Sequence, residues 1–243
     1  MFETKSKFHT TKWYADRTHW TDLFRPVIYS GYVGDPQHIP FYFGVTVGHS
    51  AYTDLKQDMK DIAALMKSNT RNECRRAERE GCVFELVSDM SEYVEFHNRF
   101  CISKGLDAII DEDKLGKYKK ILMAKTRLAE VSLAMHVTLL DEDSQRAVLL
   151  YSSSCRLEDG IDRKMIGWGN RYLHYKELEL LKNMGYETYD WGGICTDTSD
   201  PRYSIGEFKL SFGGKVFENR TLRSPLYSFL EKARSVVRKI CGR

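Results

Sequence analysis

Two double glycines, each preceded by a segment rich in aromatic residues, constrain the fold most strongly. The first closes residues 185–193, Gly-Tyr-Glu-Thr-Tyr-Asp-Trp-Gly-Gly, and the second closes residues 205–214, Ile-Gly-Glu-Phe-Lys-Leu-Ser-Phe-Gly-Gly. Glycine has no Cβ atom, so its backbone can approach another backbone or a ligand closely. We interpret each segment as a strand that leads to its glycine pair, and we expect a cleft where a substrate lies against main chain.

The composition is that of a folded protein without a strong charge bias. The 243 residues are 42% hydrophobic and 29% charged, with a net charge of +3, which argues against disorder and against a polycation. The six cysteines are widely spaced, and no pair of cysteines or histidines has the spacing of a zinc site, so no metal is predicted. Cysteine usage, a charged start without a signal-peptide pattern, and the lack of a long apolar run indicate a cytoplasmic protein.

The hydrophobic pattern predicts alternating strands and helices. Strands are predicted at residues 24–32, 41–47, 82–87, 130–140, 145–153, 186–191 and 208–217, and helices at 55–80, 90–105, 111–129, 167–184 and 226–240. Residues 130–140 and 145–153 alternate well and are predicted to pair as a hairpin. We therefore predict one α+β domain over residues 1–243 with a mixed central sheet flanked by helices. N-terminal strands occupy 1–50, the core 51–222 and an amphipathic helix 225–241.

A basic stripe follows one face of the second predicted helical segment. Its members recur every four residues: Lys67, Arg71, Arg75 and Arg79. Residues at this spacing share a helix face, and the guanidinium fork of arginine can bind two phosphate oxygens. One interpretation is that these residues bind the phosphate of a phosphorylated donor or acceptor. The other is a solvated helix face, since three glutamates between residues 73 and 80 neutralise part of the charge.

A glycine-containing segment, Lys-Met-Ile-Gly-Trp-Gly at residues 164–169, lies between a predicted strand and the longest predicted helix. A glycine turn that opens a helix offers free N–H groups and the positive end of the helix dipole to a phosphate. Lys164, Gly167 and Gly169 are therefore candidates for binding a pyrophosphate. The alternative is a plain helix entry with Trp168 packed on the sheet.

Asp190 and Lys209 are the candidate catalytic residues. Asp190 ends a predicted strand, where a carboxylate could orient an amine or take its proton; alternatively it holds the glycine turn that follows. Lys209, on the next predicted strand, could bind an anion or stabilise an oxyanion, or it is a surface lysine. The predicted cleft is lined by Tyr189, Trp191, Gly192, Gly193, Phe208 and Gly213. His136 and His174 are interpreted as core or surface histidines.

In their order along the chain, these pieces resemble the FemAB (FemABX) family of peptidyl and aminoacyl transferases, a branch of the GNAT-like fold, and the related single-domain BioF2-like acetyltransferases. The similarity spans residues 40–220. Residues 71–81 resemble the family's R-x-x-x-R-x-A-x-x-x-G helix end, and residues 206–214 resemble its G-x-x-x-F-K-x-x-F-G-G motif. The other matching segments are Trp168 with residues 182–185, and residues 189–193.

The resemblance implies transfer of an acyl group to an amine. In the FemAB family the donor is an aminoacyl-tRNA and the acceptor a peptidoglycan precursor, whereas other GNAT-like enzymes use acyl-CoA. No metal and no tightly bound cofactor is implied. Family members have two such domains, and this chain has room for one. Other acceptors, such as an amino sugar of a surface polysaccharide or another small or lipid-linked amine, therefore stay open.

The last segment, residues 225–243, reads as a helix with one apolar and one basic face. It either packs on the domain or docks on an anionic membrane surface at the inner face of the membrane, and it could also touch tRNA. Two alternatives to an enzyme remain open at this point. They are a nucleic-acid-binding module that uses the basic residues without catalysis, and a FemAB-like scaffold protein.

Overall fold

The computed structural model describes residues 2–155 and 162–240, with side chains up to residue 237. These residues form two compact units. Unit 1 lies within residues 1–50 and 217–243, and unit 2 is residues 51–216. The assignment of the whole chain to a single domain stays a prediction, and the two units are described separately here.

The described residues form ten strands and seven α-helices. The strands are β1 (Phe2–Lys5), β2 (Thr10–Trp13), β3 (Val27–Tyr32), β4 (Gly44–Asp54), β5 (Val83–Leu86), β6 (Ile121–Leu128), β7 (Val131–Asp141), β8 (Arg146–Ser154), β9 (Thr188–Ile194) and β10 (Lys215–Arg223). The helices are α1 (Met59–Leu65), α2 (Ser68–Arg79), α3 (Met90–Lys104), α4 (Glu112–Gly116), α5 (Arg163–Asn183), α6 (Tyr203–Leu210) and α7 (Pro225–Ile240). None of the helices so described is long and apolar enough to span a bilayer.

Unit 1 is built on the strand order β1-β2-β3-β10-β4, with β4 contributing residues up to Ser50. β2 and β3 are parallel, and β1 and β10 pair antiparallel to their neighbours. Its core is aromatic, with Tyr29 and Phe43 buried edge to face. The hydroxyl of Ser224 accepts from the backbone N–H of Tyr227 and so caps the start of α7.

Unit 2 has the strand order β4-β9-β8-β7-β6-β5, with β4 contributing from Ala51 onward. Strands β5 to β8 are antiparallel, and β8 runs parallel to β9 after the crossover through α5. His136 of β7 contacts α5, whereas Ser153, the partner of Met135, contacts His97 of α3. Since neighbouring strand residues point to opposite faces, α5 and α3 cover opposite faces of this sheet. The predicted mixed sheet flanked by helices is confirmed.

Several predicted element boundaries are confirmed by the caps that set them. Asp89 accepts from the N–H of Ser91 at the start of α3, and Gly105 ends that helix in a left-handed conformation with φ +63°. Gly81, with φ +89°, follows the end of α2. The hairpin predicted from residues 130–140 and 145–153 is the pair β7 and β8.

Two predicted elements are wrong, and two predicted boundaries are misplaced. The helix predicted at residues 111–129 is the single-turn helix α4 followed by β6, whose side chains are buried mainly by other strands and α5 rather than by one helical stripe. The strand predicted at 208–217 is the end of α6, a turn and the start of β10. Helix α5 begins at Arg163 instead of Gly167. Residues 41–43 precede β4, although the prediction placed them in that strand.

Candidate functional site

The parallel strands β8 and β9 diverge in the middle of the unit 2 sheet. Their register contains only three residue pairs, the last being Val148 with Asp190, although β8 continues to Ser154 and β9 to Ile194. On its other side β8 has an irregularity between the pairs at Val137 and Thr138 of β7. From residue 149 onward β8 therefore has no register partner in β9, and we call the region where the two strands separate the cleft.

Glycine 192 sits where the strands separate. Its φ is +73°, and a Cβ atom there would lie 3.4 Å from the carbonyl oxygen of Leu149 and 3.8 Å from Nζ of Lys209. The left-handed conformation turns β9 away from the regular ladder, and this conformation is unfavourable for other residues. A Cβ atom would make only ordinary van der Waals contacts here, so the positive φ, rather than a close approach of main chain, favours glycine at this position.

Asp190 is buried beneath this turn, with 1% of its surface exposed. Its Oδ1 accepts from the backbone N–H of Gly192 at 2.8 Å, and its Oδ2 lies 3.6 Å from Nη1 of Arg146. The carboxylate therefore holds the local turn, which is the structural role considered for it from sequence. A contribution of Asp190 to amine positioning stays a prediction.

Lys209 lies on helix α6, not on a strand as predicted, yet it reaches the same place. Its Nζ donates to the carbonyl oxygen of Gly193 at 2.9 Å. Burial lowers the pKa of the Lys209 ammonium, and the negative charge of Asp190 partly offsets this effect. The structure thus brings Asp190, Gly192, Gly193 and Lys209 together, and we name these four residues the cleft cluster.

Of the other predicted cleft residues, two lie in the core, and Phe208 and Gly213 are partly buried. Tyr189 and Trp191 are completely buried, and the indole N–H of Trp191 donates to Thr53 Oγ1 at 2.9 Å. The ring of Phe208 lies 4.8 Å from the guanidinium carbon of Arg171. Gly213 forms the turn between α6 and β10, where a Cβ atom would lie 2.6 Å from Cβ of Leu65.

The basic stripe is divided between structural and open positions. Arg71 donates to the carbonyl oxygens of Ala63, Ala64 and Met66, which end α1. Lys67 lies 3.5 Å from the carboxylate of Glu207. Arg75 is exposed at a cavity of about 220 Å³ between α1, α2 and α5, and Arg79 is exposed near the end of α2. Arg75 and Arg79 are therefore the members with guanidinium groups open to a ligand.

The cavity beside Arg75 has both charged and aromatic walls. Its lining includes Arg71 and Arg75 from α2 and the rings of Tyr172 and Tyr175 from α5. Glu78 also faces it and opposes the positive charge. The lining mixes both charges with aromatic rings, so on its own the cavity does not identify a ligand.

The predicted glycine turn before α5 is wrong. Lys164, Gly167 and Gly169 all lie inside the helix, and the side chain of Asp162 caps the N–H of Lys164 at 2.9 Å. A Cβ atom at Gly169 would lie 2.7 Å from Cδ1 of Leu133, so this glycine serves the close packing of α5 on β7. The chain between β8 and α5, residues 156–161, lies outside the described residues.

Sequence reasoning missed a buried polar cluster formed by His136 of β7 with His174 and Glu177 of α5. Nδ1 of His136 lies 2.7 Å from Oε2 of Glu177, and Nδ1 of His174 lies 3.7 Å from the same oxygen. Burial, and then the charge of His136, lowers the pKa of His174 well below its usual range. The signal in the sequence was the His-x-x-Glu spacing on α5, which places both side chains on one helix face.

Comparison with solved structures identifies proteins of the same fold at low identity. FemX aligns with a TM-score of 0.61 and 14% identity over 75% of this chain and 64% of its own. The C-terminal domain of an Agrobacterium fabrum protein described as a putative lysylphosphatidylglycerol synthetase aligns with a TM-score of 0.59 and 15% identity. The alignment covers 88% of this chain and 72% of that domain. L-PGS from Bacillus licheniformis aligns with a TM-score of 0.55 and 13% identity, and the alignment covers 84% of this chain and 69% of L-PGS. This chain thus spans 64% of the length of FemX.

No protein-family model matches the chain, and no curated protein matches it. At these identities the structural similarity establishes the fold alone. That similarity agrees with the fold that the ordered motifs predicted: the chain shares its fold with FemX, with the Agrobacterium fabrum domain and with L-PGS.

Proposed function

We propose that this protein is an N-acyltransferase that moves an aminoacyl or acyl group onto an amine of a cell-envelope precursor. The observation that carries the proposal is the divergence of β8 and β9 at the cleft cluster within a FemAB-type fold. In this region main chain of β8 has no register partner in β9, and the ammonium of Lys209 lies nearby. An activated acyl group requires such hydrogen-bond donors and positive charge. The fold shared with FemX and with the domain of a lysylphosphatidylglycerol synthetase supports an envelope acceptor.

The reaction needs little covalent help from the protein. A neutral amine attacks the acyl carbonyl, the carbonyl π electrons move onto oxygen, and the tetrahedral intermediate expels the ester or thioester oxygen or sulfur of the donor. The amine loses one proton, which leaves with the departing group or passes to solvent. Positioning of the two reactants supplies much of the rate, and hydrogen-bond donors and positive charge stabilise the oxyanion.

The residues of the cleft divide these tasks in our proposal. Main-chain N–H groups of β8 beyond the last register pair donate to the oxyanion, and the ammonium of Lys209 adds positive charge. Asp190 fixes the turn at Gly192 and, with it, the shape of the cleft. Arg75 and Arg79, exposed on α2, are assigned to phosphate of the donor or acceptor, together with Lys164 in the first turn of α5.

The donor is either an aminoacyl-tRNA or an acyl-CoA, and the two share an activated carbonyl on a phosphate-rich carrier. With Gly167 and Gly169 inside α5, the glycine-turn argument for CoA no longer applies, and the argument for tRNA is the FemAB resemblance. We assign the acceptor to the amines of peptidoglycan or surface-polysaccharide precursors, and the site of action to the cytoplasm or the inner face of the membrane.

Donor binding and transfer can be separated in one experiment. Purified protein is tested for thermal stabilisation by acetyl-CoA, longer acyl-CoAs and a mixed aminoacyl-tRNA pool, and then for transfer of labelled acyl groups to amino sugars. We expect one donor class to raise the melting temperature and to support transfer. Salt-sensitive tRNA binding without transfer to any amine would instead identify a non-catalytic nucleic-acid-binding protein. Absence of both would exclude the proposed function.

A second part of the proposal concerns helix α7 in unit 1. Its apolar residues Phe229, Val236 and Val237 are exposed, while Lys232 and Arg234 are exposed on the same stretch. The guanidinium of Arg234 also lies 3.8 Å from the ring of Phe8. An exposed apolar face flanked by basic side chains suits the surface of an anionic bilayer, and a lipid-linked acceptor would be presented there.

We expect the protein to sediment with vesicles containing phosphatidylglycerol and to remain in solution with phosphatidylcholine vesicles. Val236→Glu should weaken binding to the anionic vesicles about tenfold, since it places a charge on the apolar face. Ser235→Glu adds the same charge on the polar face and is the matched control. Equal binding of both variants would show that α7 does not meet the membrane through its apolar face.

A further inference from the structure

The buried cluster of His136, His174 and Glu177 has the composition of a metal site. Its three side chains offer two imidazole nitrogens and a carboxylate oxygen within 4.8 Å of one another. None of the three side chains is more than 1% exposed. The two imidazole rings lie with their centroids 4.1 Å apart. Carboxylates and histidines are rarely placed together in a core unless something compensates their charge.

The hydrogen bonds of His136 require a positive species beside it. Its Nε2 lies 2.9 Å from the amide oxygen of Asn170, so Nε2 carries a hydrogen and donates. A neutral imidazole has only one N–H. Its Nδ1 would then direct a lone pair at Oε2 of Glu177, 2.7 Å away. Either an additional proton lies between these two atoms, or both direct their lone pairs at a metal ion beside them.

An additional proton on His136 would leave other atoms of the cluster unsatisfied. In the described part of the chain, Nδ1 of His174 and Oε1 of Glu177 are buried without a hydrogen-bond partner. Each such group costs about 1–3 kcal/mol. A cation in reach of His136, His174 and Glu177 would satisfy them together, because both imidazoles would supply a lone pair and the carboxylate a negative charge.

We propose that His136, His174 and Glu177 bind a structural divalent cation of the zinc class, which joins β7 to α5. Ligand atoms around a tetrahedral zinc ion are about 3.4 Å apart, given bond lengths of about 2.1 Å, so Nδ1 of His136 and Oε2 of Glu177, now 2.7 Å apart, separate by about 0.7 Å when the ion binds.

The surroundings suit a structural site rather than a catalytic one. Asn170 accepts from the second nitrogen of His136, as outer-shell groups do for metal-bound histidines. The complete burial of the three side chains leaves no position for a substrate. The sequence spacing predicted no metal because His136 is far from His174 along the chain, and only the packing of α5 on β7 brings them together.

The test is the metal content of protein produced with zinc in the medium and purified without a metal-affinity tag. We expect about one zinc ion per chain to survive dialysis against a chelator. Glu177→Gln and His174→Leu should each lose it, whereas His38→Ala and His49→Ala, which remove exposed histidines, should keep it. Folded wild-type protein with less than about a tenth of an equivalent of any transition metal would overturn the proposal.

A second measurement remains decisive if the variants fail to fold. Wild-type protein is unfolded and refolded with Zn²⁺, with Co²⁺ or with a chelator, and its melting temperature and visible spectrum are recorded. We expect a higher melting temperature with either ion, and the d–d absorption of tetrahedral Co²⁺ liganded by nitrogen and oxygen. Equal melting temperatures with and without metal, and no such absorption, would identify the cluster as a proton-bridged pair. Neither readout depends on acyl transfer.

Discussion

Gly213→Ala should destabilise the protein by about 3 kcal/mol or more. Gly213 has φ +79°, and a Cβ atom there would lie 2.6 Å from Cβ of Leu65 and 2.7 Å from the carbonyl carbon and oxygen of the same residue. The first effect is the strain of a left-handed conformation in a residue with a side chain. The second is overlap with backbone, which cannot be relieved by a rotamer change.

Urea unfolding followed by circular dichroism measures this loss, and Gly116→Ala is the matched control. No atom lies within 4 Å of a Cβ at Gly116, and its φ is not in the left-handed region. That variant should unfold within about 1 kcal/mol of the wild type, with stabilisation as the expected direction. A Gly213→Ala protein that unfolds at the same urea concentration as Gly116→Ala would mean that the α6–β10 turn is not packed against Leu65 as described.

Lys209→Met should reduce acyl transfer by about a hundredfold or more, the range seen when one oxyanion-stabilising donor is removed. In our proposal the ammonium of Lys209 supplies positive charge in the cleft, beside the carbonyl of Gly193 to which it donates. Methionine keeps the length and the apolar stem of the side chain, so the loss reports on the charge. The measurement is kcat/KM with the donor and acceptor identified in the binding experiment.

The pH profile separates this role from a packing role. Burial lowers the pKa of Lys209, and the ammonium is its active form in the proposal. Activity should therefore be present at pH values below that pKa and fall as the pH rises through it, at a pH below the ordinary lysine value of about 10.4. Lys209→Arg should lose this descending limb, since arginine does not titrate there.

Lys60→Met is the matched control, because it removes one positive charge by the same substitution outside the cleft. Lys60 is exposed on α1, so its replacement should leave kcat/KM within twofold of the wild type, as surface changes outside a site have small effects. If Lys209→Met is folded and as active as Lys60→Met, Lys209 has no part in catalysis. The alternative interpretation, a lysine that simply holds β9 to α6, would then be correct.

The elements that were predictable from sequence are those whose signals are local. Asp89 and Gly105 bound α3 because a cap and a left-handed glycine act within a few residues. The hairpin of β7 and β8 was recognisable from its alternation and its polar turn. Clustering of Asp190, Gly192, Gly193 and Lys209 was also anticipated, since both glycine pairs were assigned to one cleft.

The errors arose where burial on several sides removes the periodic signal. Residues 121–128 form a strand covered by neighbours on either side, and their mixed sequence, Ile-Leu-Met-Ala-Lys-Thr-Arg-Leu, follows neither period clearly. Helix α6 is only eight residues long, and its apolar content resembles that of a strand. The cluster at His136 depends on contact between β7 and α5, which no local pattern reveals.

The short register between β8 and β9 also has a consequence for the energetics of unit 2. Three residue pairs join these strands, so their backbone contributes fewer ladder bonds here than full pairing would give. Regions with few such bonds are where proteins open locally. A donor that lies across this seam would supply contacts the ladder lacks, and by mass action it would raise the free energy of opening as well as orient the carbonyl. In this chain, the region between β8 and β9 would thus both hold the reacting carbonyl and be stabilised against local opening by the bound donor.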